Sequence, residues 1–546
     1  MLKKKFHFLF FIFYFITSIS IYDDYGINFD EQANRNYGFI TGNYVLENFL
    51  PKNLYNKIFS NITSSKFSDE IEKKSPPKLT DESFFEKAYG VTFELPSAVL
   101  ETILNINDKD KVYKFRHLLI FVVFFISTIF FYKLCYLLSK DKVISLLFTF
   151  SLIIHPRIFS DQFHNSKDLI FLSYLIISIF FGLKVIKKYS IKNIILFAFI
   201  TALSFGHKII GIIVLFSISM IFLFQQSRLN VKKKIQRIFI ITSITLLLCY
   251  AFWPYLWEDP IVNLKSAFQL FSKFKWVNEI PFMGKFISSD KLPWYYIPIF
   301  FLITTPPYIL IIIFSGILIL FYQIISYRKN KLYANSLVQI LFLSQIFLIP
   351  LLFAIFNNSI LYDGWRHFLF IYPLLLIISL ISISSIIYSF KTKFFYFLLI
   401  ALIITGGITQ TYWNFKYHPF QHSYFNKVFY ERPNEIFESD YWGVSNKYLI
   451  DKVISLEKSK KIFYKFESSN FKLSLDILDN EKKNRFIEYS NLDETNYYYL
   501  FVLKRFKTFD RKIFENLRRE NEVISEVIIN NTVINGVYKI KNKSLD

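Results

Sequence analysis

Cysteine is almost missing from this chain: Cys135 and Cys249 are the only two, and each falls inside an apolar run. Neither a disulfide framework nor a zinc site can be built from them. No Walker A loop, dinucleotide fingerprint or G-x-S-x-G elbow occurs, so ATP-driven transport and serine hydrolysis lack support. His155, His164, His207 and His367 show no pair at the spacing of a motif such as H-E-x-x-H. Acidic residues are also scarce, 42 against 64 Lys and Arg, giving a formal net charge of +22. The excess lies mostly in short loops between apolar runs and in the C-terminal tail. For those loops membrane topology explains the charge better than a nucleic-acid partner does.

What is abundant is apolar. Hydrophobic residues make up 53% of the 546, aromatics 20%, and mean hydropathy is +0.33. The apolar residues form blocks of about 17–25, long enough to cross a hydrocarbon layer of ~30 Å. The expected fold is a polytopic α-helical membrane protein with about eleven spans. They are read at 6–22, 116–138, 143–158, 168–185, 191–206, 208–225, 236–252, 296–323, 334–356, 367–390 and 394–411. Lys3, Lys4 and Lys5 precede the first span and hold the N-terminus inside. The loops assigned inside by alternation are then all basic: Lys140 and Lys142; Lys184, Lys187, Lys188 and Lys192; Arg228, Lys232, Lys233, Lys234 and Arg237; Arg328, Lys329 and Lys331; Lys391 and Lys393. One span too many or too few would have reversed that pattern. The first segment reads as a retained anchor, although Ser18-Ile19-Ser20 resembles a weak cleavage site.

Two outer regions are large. Residues 23–115 form a polar first loop with candidate interfacial helices at 42–60 and 92–106, separated by a break at Ser75-Pro76-Pro77. Past residue 411 hydropathy falls. Strands are expected near Lys461–Phe466, Tyr497–Leu503 and Val523–Ile529, with helices around 443–457 and 510–520. Residues 1–440 therefore read as the membrane domain and 441–546 as a small extracytoplasmic α/β domain.

The uncommon polar residues gather at outer span ends. Asp30-Glu31 follows the first span, and two carboxylates there suit proton removal from an acceptor or binding of a divalent cation. Glu94 precedes the second span. His155-Pro156-Arg157 leads through Asp161, His164 and Asn165 to Lys167-Asp168. Gly206-His207-Lys208, Trp253-Pro254-Tyr255-Leu256-Trp257-Glu258-Asp259-Pro260, Leu292-Pro293-Trp294-Tyr295-Tyr296 with Thr304-Thr305-Pro306-Pro307 after it, and Tyr362-Asp363-Gly364-Trp365-Arg366-His367 complete the set. Topology disfavours cations at the outer face, so Arg157, Lys167, Lys208 and Arg366 call for a reason. One is a lipid-linked phosphate, which Arg chelates and Lys meets as a point charge. Snorkelling toward headgroups accounts for any one of them alone, less readily for four. The tryptophans also fit an ordinary interfacial belt.

On these motifs the chain resembles the GT-C superfamily of integral-membrane glycosyltransferases, over roughly residues 1–440. The resemblance is to the family 39 branch, which holds protein O-mannosyltransferases and the aminoarabinose transferase of lipid A. It rests on Asp30-Glu31, on His155-Pro156-Arg157 through Lys167-Asp168, on Pro293-Trp294-Tyr295-Tyr296, and on Tyr362-Asp363-Gly364-x-Arg366-His367. The longer soluble insertion of the eukaryotic mannosyltransferases is missing, and the C-terminal domain has no counterpart in the resemblance. What it implies is an inverting transfer of a sugar from a polyprenyl-phosphate donor to a hydroxyl on a glycan, lipid or protein. The reaction would take place at the periplasmic face of a bacterial inner membrane. Asp30, with Glu31, would act at the acceptor; Arg157, Lys167, Lys208, Arg366 and His367 would meet the donor phosphate. Asp161, Asp168 and Asp363 would orient, and Glu94, His164, Asn165, Trp294, Tyr295 and Tyr362 would line the substrate. A divalent cation, Mg2+ or Mn2+, would sit at Asp30 and Asp168 if one takes part. The competing reading is a transporter or flippase of lipid-linked saccharides, which calls for charged mid-span residues and internal repeats. The span interiors are Ile, Leu, Phe and Ser, without repeats.

Overall fold

Water is missing from a bilayer core, so every backbone polar group in a spanning segment must be satisfied within it, and apolar runs of this length become helices. The computed structural model describes residues 2–54, 79, 88–224, 229–274, 276–326, 334–390, 393–467, 471–490, 495–505 and 508–542. The break expected at Ser75–Pro77, the basic residues Arg228, Arg328, Lys329, Lys331 and Lys391, and the end of the segment 42–60 lie outside the described residues. The first part of the chain gives α1 (Leu2–Ile19), α2 (Glu31–Phe49), α3 (Glu94–Ile103), α4 (Lys109–Ser139), α5 (Lys142–Ile153), α6 (Pro156–His164), α7 (Asp168–Lys187) and α8 (Ile191–His207). It continues through α9 (Ile212–Phe224), α10 (Val231–Phe252), α11 (Pro260–Ser272), α12 (Tyr296–Thr304), α13 (Pro307–Ser326), α14 (Ala334–Phe356), α15 (Ile371–Phe390) and α16 (Lys393–Lys416).

Among the described residues seven of these helices are long and apolar enough to cross a membrane: α4, α7, α10, α13, α14, α15 and α16. The pair α5 and α6 passes together but is bent by 67°, and α1, α8 and α9 are shorter apolar helices. The bend has a local cause. Pro156 has no N–H to continue α5 and suits the first position of a new helix, and His155 before it is extended at ψ 120. The run 296–323 is likewise two helices, divided at Thr305-Pro306 before Pro307. At the opposite end of the bundle, Lys140 closes α4 with φ 60, and Asp141 caps α5 by accepting from the N–H groups of Val143 and Ile144 at 2.8 and 2.9 Å. Between α11 and α12 lies a small antiparallel hairpin, β1 (Glu279–Phe282) and β2 (Lys285–Ser288).

The C-terminal part is a five-stranded mixed sheet. Its strands are β3 (Ile462–Phe466), β4 (Phe486–Glu488), β5 (Tyr497–Leu503), β6 (Glu522–Ile529) and β7 (Thr532–Lys541), in the order β4-β3-β5-β7-β6. Alternation along β5 divides its two faces. Tyr499 and Phe501 pack with Leu449, Ile450 and Val453 of α17 (Ser445–Leu456). Leu500 and Val502 pack with Phe514 and Leu517 of α18 (Arg511–Glu520). The β6–β7 turn uses Asn530 and Asn531 at φ 49 and 64, the two positive angles that a tight hairpin needs. Lys504, just past β5, donates to the carbonyl of Asn434 at 2.8 Å and so ties the sheet to the segment that leaves α16.

Candidate active site

Asp30 and Glu31 face opposite ways. Asp30 precedes the first turn of α2, where its own N–H donates to Asn28 Oδ1 at 2.7 Å. Glu31 accepts from the Asn28 N–H at 2.8 Å and lies 3.0 Å from His117 Nε2, with 3% exposure. It fastens the loop to α4, while the Asp30 side chain keeps 28% exposure and lines a cavity. Glu94, at the start of α3, pairs with Arg116; Arg116 also reaches Glu101 at 3.4 Å, and Glu101 holds Arg35 at 2.5 Å. This buried network joins α2, α3 and α4 and does not reach the same cavity.

The stretch from His155 to Asp168 divides into a buried half and an open half. Arg157 is 1% exposed, with its guanidinium 5.1 Å from the Phe425 ring and 5.7 Å from that of Tyr441. It backs the loop at Gly364 rather than entering the cavity. Asp161 accepts from Trp442 Nε1 at 3.3 Å and from Asn165 Nδ2 at 3.1 Å; His164 is buried beside Ser160 and the Trp442 ring. Asn165 Oδ1 accepts from the Asp168 N–H at 2.8 Å, which fixes the first turn of α7. Lys167 and Asp168 then project into the cavity.

Lys208 follows α8, because the chain leaves helical geometry there before the short turn Ile209–Gly211. Its ammonium pairs with Asp168, and His207 Nε2 lies 3.0 Å from the Lys167 carbonyl. Across from them Tyr89 lies under Lys167 Nζ, 4.7 Å from the ring centre. Its neighbour Gly90 packs so closely on Gly206 that a Cβ would overlap the Gly206 carbonyl oxygen.

The segment from Tyr362 to His367 closes the ring. Asp363 and Gly364 adopt φ of 57 and 69, a double left-handed step that a glycine tolerates and an Asp accepts when held. It is held: Asp363 Oδ2 lies 3.2 Å from Arg366 Nε, and Oδ1 accepts from Arg505 Nη2 at 2.9 Å. Arg366 Nη1 contacts Asp30 Oδ2 at 3.0 Å and Asp168 Oδ2 at 3.5 Å. The Arg366 guanidinium also lies over Tyr362 and Trp442, at 4.9 and 4.5 Å.

Asp30, Lys167, Asp168, Lys208, Tyr362, Asp363, Arg366 and His367, from four separate segments, all line one cavity of ≈ 560 Å³. Arg505 lines it as well, and its other walls are mostly apolar, with Ile209, Ile213, Phe268, Phe271, Ile349 and Phe353 among them. Trp294, 68% exposed, and Tyr295 stand outside it, as do Glu31, Glu94, Arg157, Asp161, His164 and Asn165. Burial works against the Asp30 carboxylate, but Lys167 and Arg366 outweigh it and hold its pKa below the usual value. Burial raises that of Glu438, only partly offset by Arg505. A divalent cation between Asp30 and Asp168 does not fit this arrangement, since Arg366 already bridges the two carboxylates. Among the described residues no group of three or more His, Cys, Asp or Glu is arranged to hold a metal ion.

No protein-family model matches the chain, and no curated protein matches it. Among solved structures, the crystal structure of ArnT from Cupriavidus metallidurans bound to undecaprenyl phosphate is similar, with a TM-score of 0.37 and 9% sequence identity. The match covers 81% of this chain and 86% of that one. A likeness at that level transfers neither residues nor activity.

Sequence reasoning does not find Arg505, Glu438, Trp442 or His117. Arg505 gives no sign in the sequence of a place in the site, and only the docking of the sheet brings it to Asp363 and Glu438.

Proposed function

We propose that the protein is a membrane glycosyltransferase that moves a sugar from a polyprenyl-phosphate donor to a hydroxyl acceptor at the outer membrane face. The observation that carries the reading is the composition of the cavity: a charged end of three carboxylates, Asp30, Asp168 and Asp363, with the cations Lys167, Lys208, Arg366 and Arg505, and a mostly apolar remainder. An anionic headgroup on an isoprenoid tail has that same division. Within the charged end Lys167 differs from the other cations. Lys208 and Arg366 are paired to carboxylates, whereas Lys167 has no carboxylate within ion-pair distance among the described residues. Lys167 is therefore the first contact for the donor phosphate, with Lys208 and Arg366 completing its neutralisation as it departs.

Asp30 is the acceptor base. Its carboxylate stays ionised at neutral pH, is open to the cavity, and is oriented by Arg366. The acceptor hydroxyl donates its proton to Asp30 as its oxygen attacks the anomeric carbon, and the phosphate leaves on the opposite side with inversion. Asp168 and Asp363 keep Lys208 and Arg366 in place. No nucleotide is consumed, because the leaving group is already a lipid phosphate. Mass spectrometry of envelope glycolipids and glycoproteins from a deletion strain, complemented with wild type or Asp30→Asn, tests the reading. A sugar-bearing species should vanish in the deletion and return only with wild type; restoration by Asp30→Asn would remove Asp30 from the mechanism.

A further inference from the structure

Arg505 belongs to the C-terminal sheet, two residues past β5, yet it lines the same cavity as Asp30. Its guanidinium is shared among three acceptors. Nη2 meets Asp363 Oδ1 at 2.9 Å, Nε meets Glu438 Oε1 at 2.8 Å, and Nη1 donates to the Tyr441 carbonyl at 2.6 Å. Asp363 uses its other oxygen for Arg366, and Arg366 in turn reaches Asp30 and Asp168. The result is a line of alternating charge from Glu438 through Arg505, Asp363 and Arg366 to Asp30. All of these but Asp30 are almost fully buried.

We propose that Arg505 is a positioning residue: by neutralising Asp363 it leaves Arg366 free to hold Asp30 and Asp168, so the C-terminal domain completes the anion-binding end of the cavity. The inference rests on reading that end as the site of a lipid phosphate. A buried carboxylate that loses one cation takes a larger share of the remaining one. Without Arg505, Asp363 draws Arg366 toward itself and away from Asp30, and the cavity becomes more negative. Burial favours the neutral form of both carboxylates, but Asp363 keeps Arg366 at 3.2 Å as a cation that holds its charge, whereas Glu438 loses its ion pair and takes up a proton. The uncompensated charge therefore stays on Asp363. Asparagine there removes that charge, and it tolerates the left-handed backbone at least as well as aspartate.

The test is charge-specific. Full-length protein in detergent is titrated with farnesyl phosphate as wild type, Lys167→Ala, Arg505→Ala, Asp363→Asn and the Arg505→Ala/Asp363→Asn double variant. Arg505→Ala should weaken binding about tenfold or more, and the double variant should recover to within about threefold of wild type. A merely structural docking role for Arg505 would not be rescued by changing Asp363. Wild-type affinity in Arg505→Ala, or a double variant as weak as the single, overturns the inference while leaving the donor reading intact. Failure of wild type to bind, or unchanged binding in Lys167→Ala, would instead sink the donor reading and the inference with it.

Discussion

Replacing Lys167 by methionine removes one positive charge from the cavity and little else. The side chain keeps most of its length, and within the protein the ammonium gives up its place over the Tyr89 ring, 4.7 Å from the centroid. Such a cation–ring interaction contributes about 0.5–1 kcal/mol, so in a chain of this length melting in detergent should fall by only about 1 °C or less. Ligand binding should suffer more. A phosphate about 4 Å from the ammonium gains ~4 kcal/mol at an effective dielectric of about 20. Desolvation of both ions cancels roughly half of that, and the remaining ~2 kcal/mol lies within the range for hydrogen bonds to charged groups. The dissociation constant for farnesyl phosphate should therefore rise about 30-fold, while Lys167→Arg keeps most of the affinity. The variant should also lose part of the salt dependence of binding, since one of the attracting charges is gone. Calorimetric titration at two ionic strengths measures both effects. Affinity within about twofold of wild type, with the fold intact, would refute the assignment of Lys167 to the phosphate.

Other perturbations separate the roles further. Asp30→Asn should lower transfer by about 10²–10⁴ while leaving farnesyl phosphate binding equal or tighter, because a negative charge has been removed; turnover near wild type contradicts the base. The pKa of Asp30 is held down, so its reactive, deprotonated form persists through neutral pH. Activity should be flat there and fall on the acid side only below the ordinary carboxylate range, with the limb moving upward in Lys167→Met; a wild-type limb above that range refutes this. Arg116→Met strips the cation from between Glu94 and Glu101. It should cost about 3–5 kcal/mol in denaturant unfolding, and unaltered stability would show that the network does not carry load.

Much of the membrane architecture is legible from composition, because hydrophobic thickness and loop charge constrain a helical bundle strongly. The eleven expected spans correspond to the seven long helices, the bent pair and the three shorter apolar helices. What run length cannot convey is where a helix breaks. Hydropathy continues across Thr305-Pro306, and at His155-Pro156 it falls without showing that a second helix begins there; the missing proline N–H forces both interruptions. The site divides in the same way. Lys167, Lys208 and Arg366 stand out as cations at span ends where topology disfavours them, and all three line the cavity. Arg157 has the same signature, but its packing against Phe425 and Tyr441 depends on a segment far along the chain, which charge at a span end does not encode. Arg505 carries no local signal at all. The strands expected in the C-terminal region stop at Ile529 and omit β7, although the paired Asn530-Asn531 is a turn signature for the hairpin that leads into it.

The bare contact between Gly90 and Gly206 bears on how this chain can vary. With no side chain on either residue, two stretches of main chain meet directly, and the part of the first loop just before α3 is riveted to the tip of α8. Tyr89 on one side of that rivet and Lys208 on the other thus keep a common frame. Any residue larger than glycine at position 90 would push these two apart, and the cavity wall they share would shift with them.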